Sequence, residues 1–95
     1  MENIYVQSPD FVQREVAGEC LLVPLRRRLD ETNSIYVLND TGAGFWRRVD
    51  GKLSVKEIVD RLMDEYDVER ERLEKDVAVL VNDLVGIQAL APAAK

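Results

Sequence analysis

The fold of this chain is decided by residues 35–42, which read IYVLNDTG. The first four, 35–38, are β-branched, aromatic and aliphatic residues, and this composition predicts a strand. Asn39 and the two residues after it are all good helix N-caps, so a helix is expected to begin there. The stretch therefore predicts a strand that passes directly into a helix.

Two further strands are expected on the N-terminal side of this stretch. Strand-forming residues occupy 11–16 and 19–23, and Ala17-Gly18 between them suits a hairpin turn. Pro24 cannot donate a hydrogen bond to a sheet, so the second strand should end there. The polar residues 25–33, with three consecutive arginines, are expected to form a loop.

Three helices are expected from residue 39 onwards. The first should end at Asp50-Gly51, and Ser54 with Glu57 has the Ser-x-x-Glu form of a capping box that starts the second. Asp67 can cap a third helix that runs through Val85 and ends at Gly86. The predicted fold class is α+β: a three-stranded antiparallel sheet followed by three helices, in one domain over residues 1–95 with an ordered core of about 10–90.

Composition disfavours several classes of protein. The net charge is −5 with no histidine and one cysteine, so phosphate backbones should be repelled and the commonest general base and metal ligand are missing. We therefore expect no catalytic residues, no metal, no cofactor and no nucleic-acid partner. No apolar run approaches the roughly 20 residues of a membrane span, and the N-terminus has no signal-peptide pattern, so we expect a cytoplasmic protein without a membrane partner.

The predicted third helix carries more apolar surface than one small sheet requires. At 100° per residue a core stripe is formed by Leu73, Val77, Leu80 and Leu84. Ala78, Val81 and Val85 widen this stripe on one flank, and Val79 stands alone on the other flank between Arg72, Asp76 and Asp83. Either flank could line a groove, or Val81 and Val85 could pack on the first two helices.

An open sheet edge is the physical basis for a binding function. If the strand 35–38 is an edge, it contains no Lys, Pro or inward charge that would block pairing with another chain. Such an edge can bind an extended peptide through backbone hydrogen bonds, while pockets beside it select side chains. The same edge could instead pair two copies into a homodimer.

The sequence also resembles the PqqD family over about nine-tenths of its length. The resemblance is carried by Tyr36-Val37-Leu38-Asn39-Asp40-Thr41-Gly42-Ala43, Phe45-Trp46, Asp50-Gly51, Ser54-Val55, Glu57-Ile58, Leu62, Tyr66-Asp67-Val68, Asp76-Val77, Leu80 and Leu84. Upstream, Arg14-Glu15-Val16, Gly18-Glu19 and Leu21-Leu22-Val23-Pro24 are similar to the family's opening hairpin. The sequence departs from the family pattern at Gly44, where a larger residue is common.

This resemblance implies a winged-helix-like domain, or RiPP recognition element, that is not itself an enzyme. Such a domain binds the leader of a ribosomally made precursor peptide, PqqA in pyrroloquinoline quinone biosynthesis, and presents it to a radical SAM enzyme, PqqE. The leader adds as a strand to the edge 35–38 and lies against the third helix. The expected peptide-binding residues are Ile35, Tyr36, Val37, Leu38, Arg72, Asp76, Val79 and Val81.

A winged-helix DNA-binding protein is the main alternative, because a helix, turn and helix beside a hairpin has similar geometry. A helix that reads the major groove should carry an excess of Lys and Arg. Residues 69–85 contain three basic and five acidic residues. The charge of the third helix therefore favours a peptide over DNA.

Overall fold

The computed structural model describes residues 2–25 and 35–93, which form five strands and three helices. In chain order these are β1 (Tyr5–Gln7), β2 (Phe11–Val16), β3 (Glu19–Pro24), β4 (Tyr36–Leu38), α1 (Asp40–Arg48), α2 (Val55–Glu65), α3 (Arg70–Gly86) and β5 (Leu90–Pro92). The α+β class with three helices after an antiparallel sheet is as predicted. The predicted loop 25–33 lies outside the described residues except for Leu25.

The main sheet has the order β2-β3-β4, with both pairs antiparallel. Its hairpin turns at Ala17 and Gly18, whose φ angles of 53° and 82° are those of a type I′ turn. The second predicted strand, β3, ends at Pro24 as expected, whereas β4 begins at Tyr36, one residue later than the predicted start at Ile35. Pro24 is tolerated because it pairs with Phe11 at the end of the ladder, where its missing N–H points away from β2.

A second sheet of two strands was not expected from the sequence. β1 and β5 pair antiparallel, with Val6 opposite Ala91. The other side of β1 lies beside the segment that leads into α2. There the Gly51 N–H donates to the Tyr5 carbonyl at 3.1 Å. This sheet ties the two ends of the described chain to the start of α2.

The ends of the helices agree with the predicted caps in two of three cases. The Asn39 side chain accepts from the Gly42 N–H, and Ser54 and Glu57 form both hydrogen bonds of the capping box. The predicted N-cap of α3 at Asp67 was wrong, because the chain from 67 to 69 is not helical and Glu69 is the N-cap without a side-chain bond. At the other end Gly86 is the last helical residue, and Gln88 adopts the positive φ of 67°.

One core joins the main sheet to the three helices. Leu22 and Leu38 contribute from the sheet, and Leu73, Val77, Leu80 and Leu84 form the predicted buried stripe of α3. Gly44 is buried where α1 meets α2, and a Cβ placed there would lie 3.0 Å from Leu62 Cδ2 and 3.2 Å from the Tyr66 hydroxyl. The missing side chain therefore allows α1 to approach α2 closely. No helix within the described ranges has the length and apolar character to cross a membrane.

Candidate functional site

The candidate site is a groove between β4 and α3. Within the described chain β4 pairs only with β3, so its other side is an edge of the main sheet. Beside this edge the helix wall leaves a groove of about 550 Å³. It is lined by Tyr36, Val37, Leu38, Asn39, Thr41, Gly42, Arg72, Asp76, Val77, Val79 and Leu80.

The hairpin register tells which backbone groups of β4 face the groove. In the type I′ turn the Glu19 N–H bonds back to Val16, so odd-numbered residues of β3 bond to β2. The Leu25 N–H follows the same parity, because it donates to the Asp10 carbonyl at 2.6 Å. Cys20 and Leu22 therefore direct their backbone groups to β4.

The same alternation continues into β4. Cys20 and Leu22 lie opposite Leu38 and Tyr36, which makes these the hydrogen-bonded pairs of the ladder. Val37, opposite Leu21, is then the residue whose N–H and C=O point to the open edge. Its side chain is 58% exposed, whereas that of Leu38 is 4% exposed. β4 thus offers one outward donor and acceptor while Leu38 holds it to the core.

A hydrogen bond joins β4 to α3 beyond one end of the groove. The Tyr36 hydroxyl donates to Asp83 Oδ2 at 2.9 Å. Burial, followed by this hydrogen bond and the charge of the carboxylate, raises the pKa of Tyr36 above its usual value. The phenol is therefore neutral and remains a donor throughout the physiological pH range.

The start of α1 forms the other end of the groove. Asn39 caps the helix through the Gly42 N–H at 2.7 Å, and Thr41 donates to the same Asn39 oxygen at 3.1 Å. A Cβ at Gly42 would lie 3.0 Å from that oxygen and 3.6 Å from Leu80 Cδ2. Gly42 therefore lets the start of α1 lie close to α3. The sequence marked these residues as helix caps but gave no sign that they border a groove.

The structure brings six of the eight predicted peptide-binding residues together around the groove. These are Tyr36, Val37, Leu38, Arg72, Asp76 and Val79. Ile35 is 52% exposed and precedes β4, outside the groove lining. Val81 also lies outside it, because the rotation of the helix carries its side chain to the opposite flank of α3.

That opposite flank borders a second, smaller depression of about 350 Å³. Val81 and Val85 line it together with Tyr5 of β1 and Val55 at the start of α2. Val81 is half-buried and packs against the core, while Val85 remains 39% exposed. On this flank Val81 thus packs against the core, while Val85 borders a shallow surface depression. Only the flank that carries Val79 faces β4.

The described part of the chain contains no group of three or more His, Cys, Asp and Glu residues that could hold a metal ion. The groove lining includes two charged side chains, Arg72 and Asp76, beside apolar and small polar residues. This arrangement allows an extended peptide to pair with the backbone of Val37, while α3 contacts the side chains of that peptide.

Comparison with known proteins agrees with this geometry. Residues 19–89 match the family described as coenzyme PQQ synthesis protein D (PqqD). Among solved structures, a lasso peptide synthetase B1 complexed with the leader peptide is similar with a TM-score of 0.70 and 26% identity, covering 93% of this chain and 98% of that one. TbiB1 in complex with the TbiA(beta) leader peptide has a TM-score of 0.69 and 24% identity, and the match covers 95% of this chain and 99% of that one.

Among curated protein sequences none matches this chain significantly. The PqqD match begins at the first residue of β3 and ends just before β5. It therefore includes β4, all three helices and every residue that lines the groove. The chain belongs to the PqqD family.

Proposed function

We propose that this protein binds the leader segment of a ribosomally synthesised precursor peptide as an added strand on β4, and presents it to a modifying enzyme. The observation that carries the proposal is the free edge at Val37, whose N–H and C=O face a groove walled by α3. A leader in extended form would satisfy these two backbone groups and place alternate side chains against α3. The peptide-binding residues proposed on this geometry are the six predicted residues among those that line the groove: Tyr36, Val37, Leu38, Arg72, Asp76 and Val79.

Two findings from the comparisons support a peptide as the ligand. The PqqD family match includes the whole groove, and both similar solved structures were determined with a leader peptide bound. The charge of −5 and the acidic excess on α3 disfavour the alternative of DNA binding. The role is one of binding and presentation, without catalysis by this chain.

For the modifying partner we propose a radical SAM enzyme of the PqqE type acting on a PqqA-like precursor, on the basis of family membership. One of the similar solved structures is instead a lasso peptide synthetase B1, so a lasso precursor is the competing substrate. The two are separated by mixing the protein with each type of precursor leader and with the radical SAM enzyme. A stable ternary complex only with a PqqA-like leader supports the PQQ-type role, and binding restricted to lasso leaders contradicts it.

The test of strand addition is a titration of isotope-labelled protein with precursor leaders, followed by amide NMR. A leader that orders on binding loses conformational entropy, so the expected dissociation constant is roughly micromolar or somewhat tighter. We expect the largest shifts at Val37 and along the α3 face of the groove. Strand addition is wrong if every candidate leader leaves the amides of 35–38 unchanged at millimolar concentration.

A homodimer through the β4 edge is the competing use of the same surface. Light scattering with and without leader separates the two. The proposed function predicts that binding of the leader does not require a dimer to dissociate, and a dimer that excludes the leader would contradict it.

A further inference from the structure

Two side chains of α3 that line the groove have charges without an ion-pair partner in the described part of the protein. Arg72 and Asp76 are exposed and lie one turn apart, yet within residues 2–25 and 35–93 neither forms an ion pair. Other pairs with the same spacing on this helix do pair: Arg70 contacts Glu74 at 2.9 Å, and Lys75 contacts Glu71 at 3.8 Å. The groove side of α3 therefore differs from its outer side.

Three charged residues and one valine form a continuous face on the groove side of α3. At 100° per residue, Arg72, Asp76, Val79 and Asp83 fall within about 60° of one another. Asp83 accepts the Tyr36 hydroxyl and is not among the residues that line the groove, and Val79 is 62% exposed. Arg72 and Asp76 are thus the charges that an occupant of the groove would meet.

The spacing of these two charges matches an extended peptide. Four residues of helix rise about 6 Å, and two residues of a strand rise about 6.7 Å. Side chains two positions apart on a bound strand point to the same side. An acidic and a basic residue separated by one position can therefore reach Arg72 and Asp76 at the same time.

The order of the two charges follows from the direction of α3. Tyr36 at the start of β4 contacts Asp83, and Gly42 just after β4 lies near Leu80, so α3 runs antiparallel to β4. A strand added antiparallel to β4, as in the other pairs of this sheet, runs parallel to α3. Its residue nearest Arg72 then precedes its residue nearest Asp76.

We infer that the groove selects a leader segment with the order acidic, any residue, basic, because Arg72 and Asp76 lie on its wall in that order and form no ion pair with any described residue. This inference rests on the proposed function and names the class of peptide that the site accepts. Arg72 and Asp76 act as specificity residues, while the Val37 backbone supplies affinity that is independent of sequence.

The test uses three synthetic 12-residue peptides with the same fluorescent label and flanks. Their central segments are Glu-Thr-Lys-Thr-Leu, Lys-Thr-Glu-Thr-Leu and Gln-Thr-Gln-Thr-Leu. Binding to the full chain is measured by fluorescence anisotropy at low ionic strength and up to millimolar protein. We expect the acidic-first peptide to bind best, the neutral one next and the basic-first one about tenfold more weakly than the first, with the difference lost at about 1 M salt.

The double variant R72E/D76R exchanges the two charges without changing the net charge, and it should reverse this preference. The matched control is E71K/K75E, which exchanges an exposed pair on the outer side of the same helix and should leave the preference unchanged.

Each other outcome has a distinct meaning. Equal binding of all three peptides, a preference for the basic-first peptide, or the same shift in the control would overturn the charge inference while leaving strand addition intact. No binding of any peptide, together with unchanged amides at 35–38, would overturn the proposed function itself.

Discussion

Proline substitution along β4 tests whether its outer backbone binds the leader. Val37→Pro deletes an N–H that no strand of the described protein uses and alters a side chain that is 58% exposed. The free energy of unfolding should therefore fall by no more than about 1 kcal/mol. The leader loses a hydrogen bond worth about 0.5–1.5 kcal/mol and meets the proline ring, so we expect at least about tenfold weaker binding.

The two neighbouring positions should behave in the opposite way. Leu38→Pro removes a ladder hydrogen bond to Cys20 and a side chain that is 4% exposed, which together should cost about 3 kcal/mol or more. Tyr36→Pro removes a ladder bond and the hydrogen bond to Asp83, which should cost about 1–3 kcal/mol. A small domain has only about 5–15 kcal/mol in total, so both losses are large.

Urea unfolding followed by the fluorescence of Trp46, the single tryptophan, gives the stability, because this side chain is buried in the core. Leader affinity is measured by calorimetry on the folded variants. Val37→Thr is the control, since it keeps the N–H and the β-branched shape and should bind nearly as the parent does. The reasoning is refuted if Val37→Pro unfolds as readily as Leu38→Pro, or if it folds and binds the leader with the parent's affinity.

Three further predictions concern the Tyr36 hydroxyl, the α2 cap and DNA binding. Tyr36→Phe removes the hydrogen bond to Asp83 and should lower the free energy of unfolding by about 1 kcal/mol at neutral pH. Because the folded pKa of Tyr36 is raised, the stabilisation by its phenol is present below about pH 10 and is lost as pH rises through the folded pKa, so urea unfolding should show the difference shrinking above pH 10. Ser54→Ala should cost about 1 kcal/mol in the same assay through loss of the capping box, with leader affinity unchanged, and a change in affinity would show that α2 contributes to the site. Gel shifts at low salt and micromolar protein should show no complex with duplex DNA, and a salt-sensitive complex would contradict the peptide assignment.

Local signals in the sequence predicted most of the main fold. The Ala17-Gly18 hairpin, the Asn39 cap and the Ser54–Glu57 capping box are each complete within a few residues, so the sequence alone defines them. The buried stripe of α3 follows from helical periodicity in the same way. Features of this kind need no knowledge of distant parts of the chain.

Features that depend on distant pairing could not be predicted. β1 and β5 have three residues each, too few for a recognisable period, and they exist because they pair across the whole chain. The outward direction of Val37 follows from the type I′ turn and the register of two ladders, neither of which periodicity defines. Val81 was assigned to the groove because the sequence could not decide which flank of α3 faces β4.

The form of the β4 edge favours a peptide over a second copy of the protein as its occupant. β4 has only three residues, and very short edge strands are one way in which proteins limit unwanted pairing. Two copies joined through β4 would share a ladder of that length while each carried α3 beside the shared edge. A leader is a single extended chain, so it can add to β4 and also continue along the groove to contact α3. The short strand and the adjacent helix thus favour a narrow, extended ligand at this edge, and the role we propose for Arg72 and Asp76 on the groove wall is to select among such ligands.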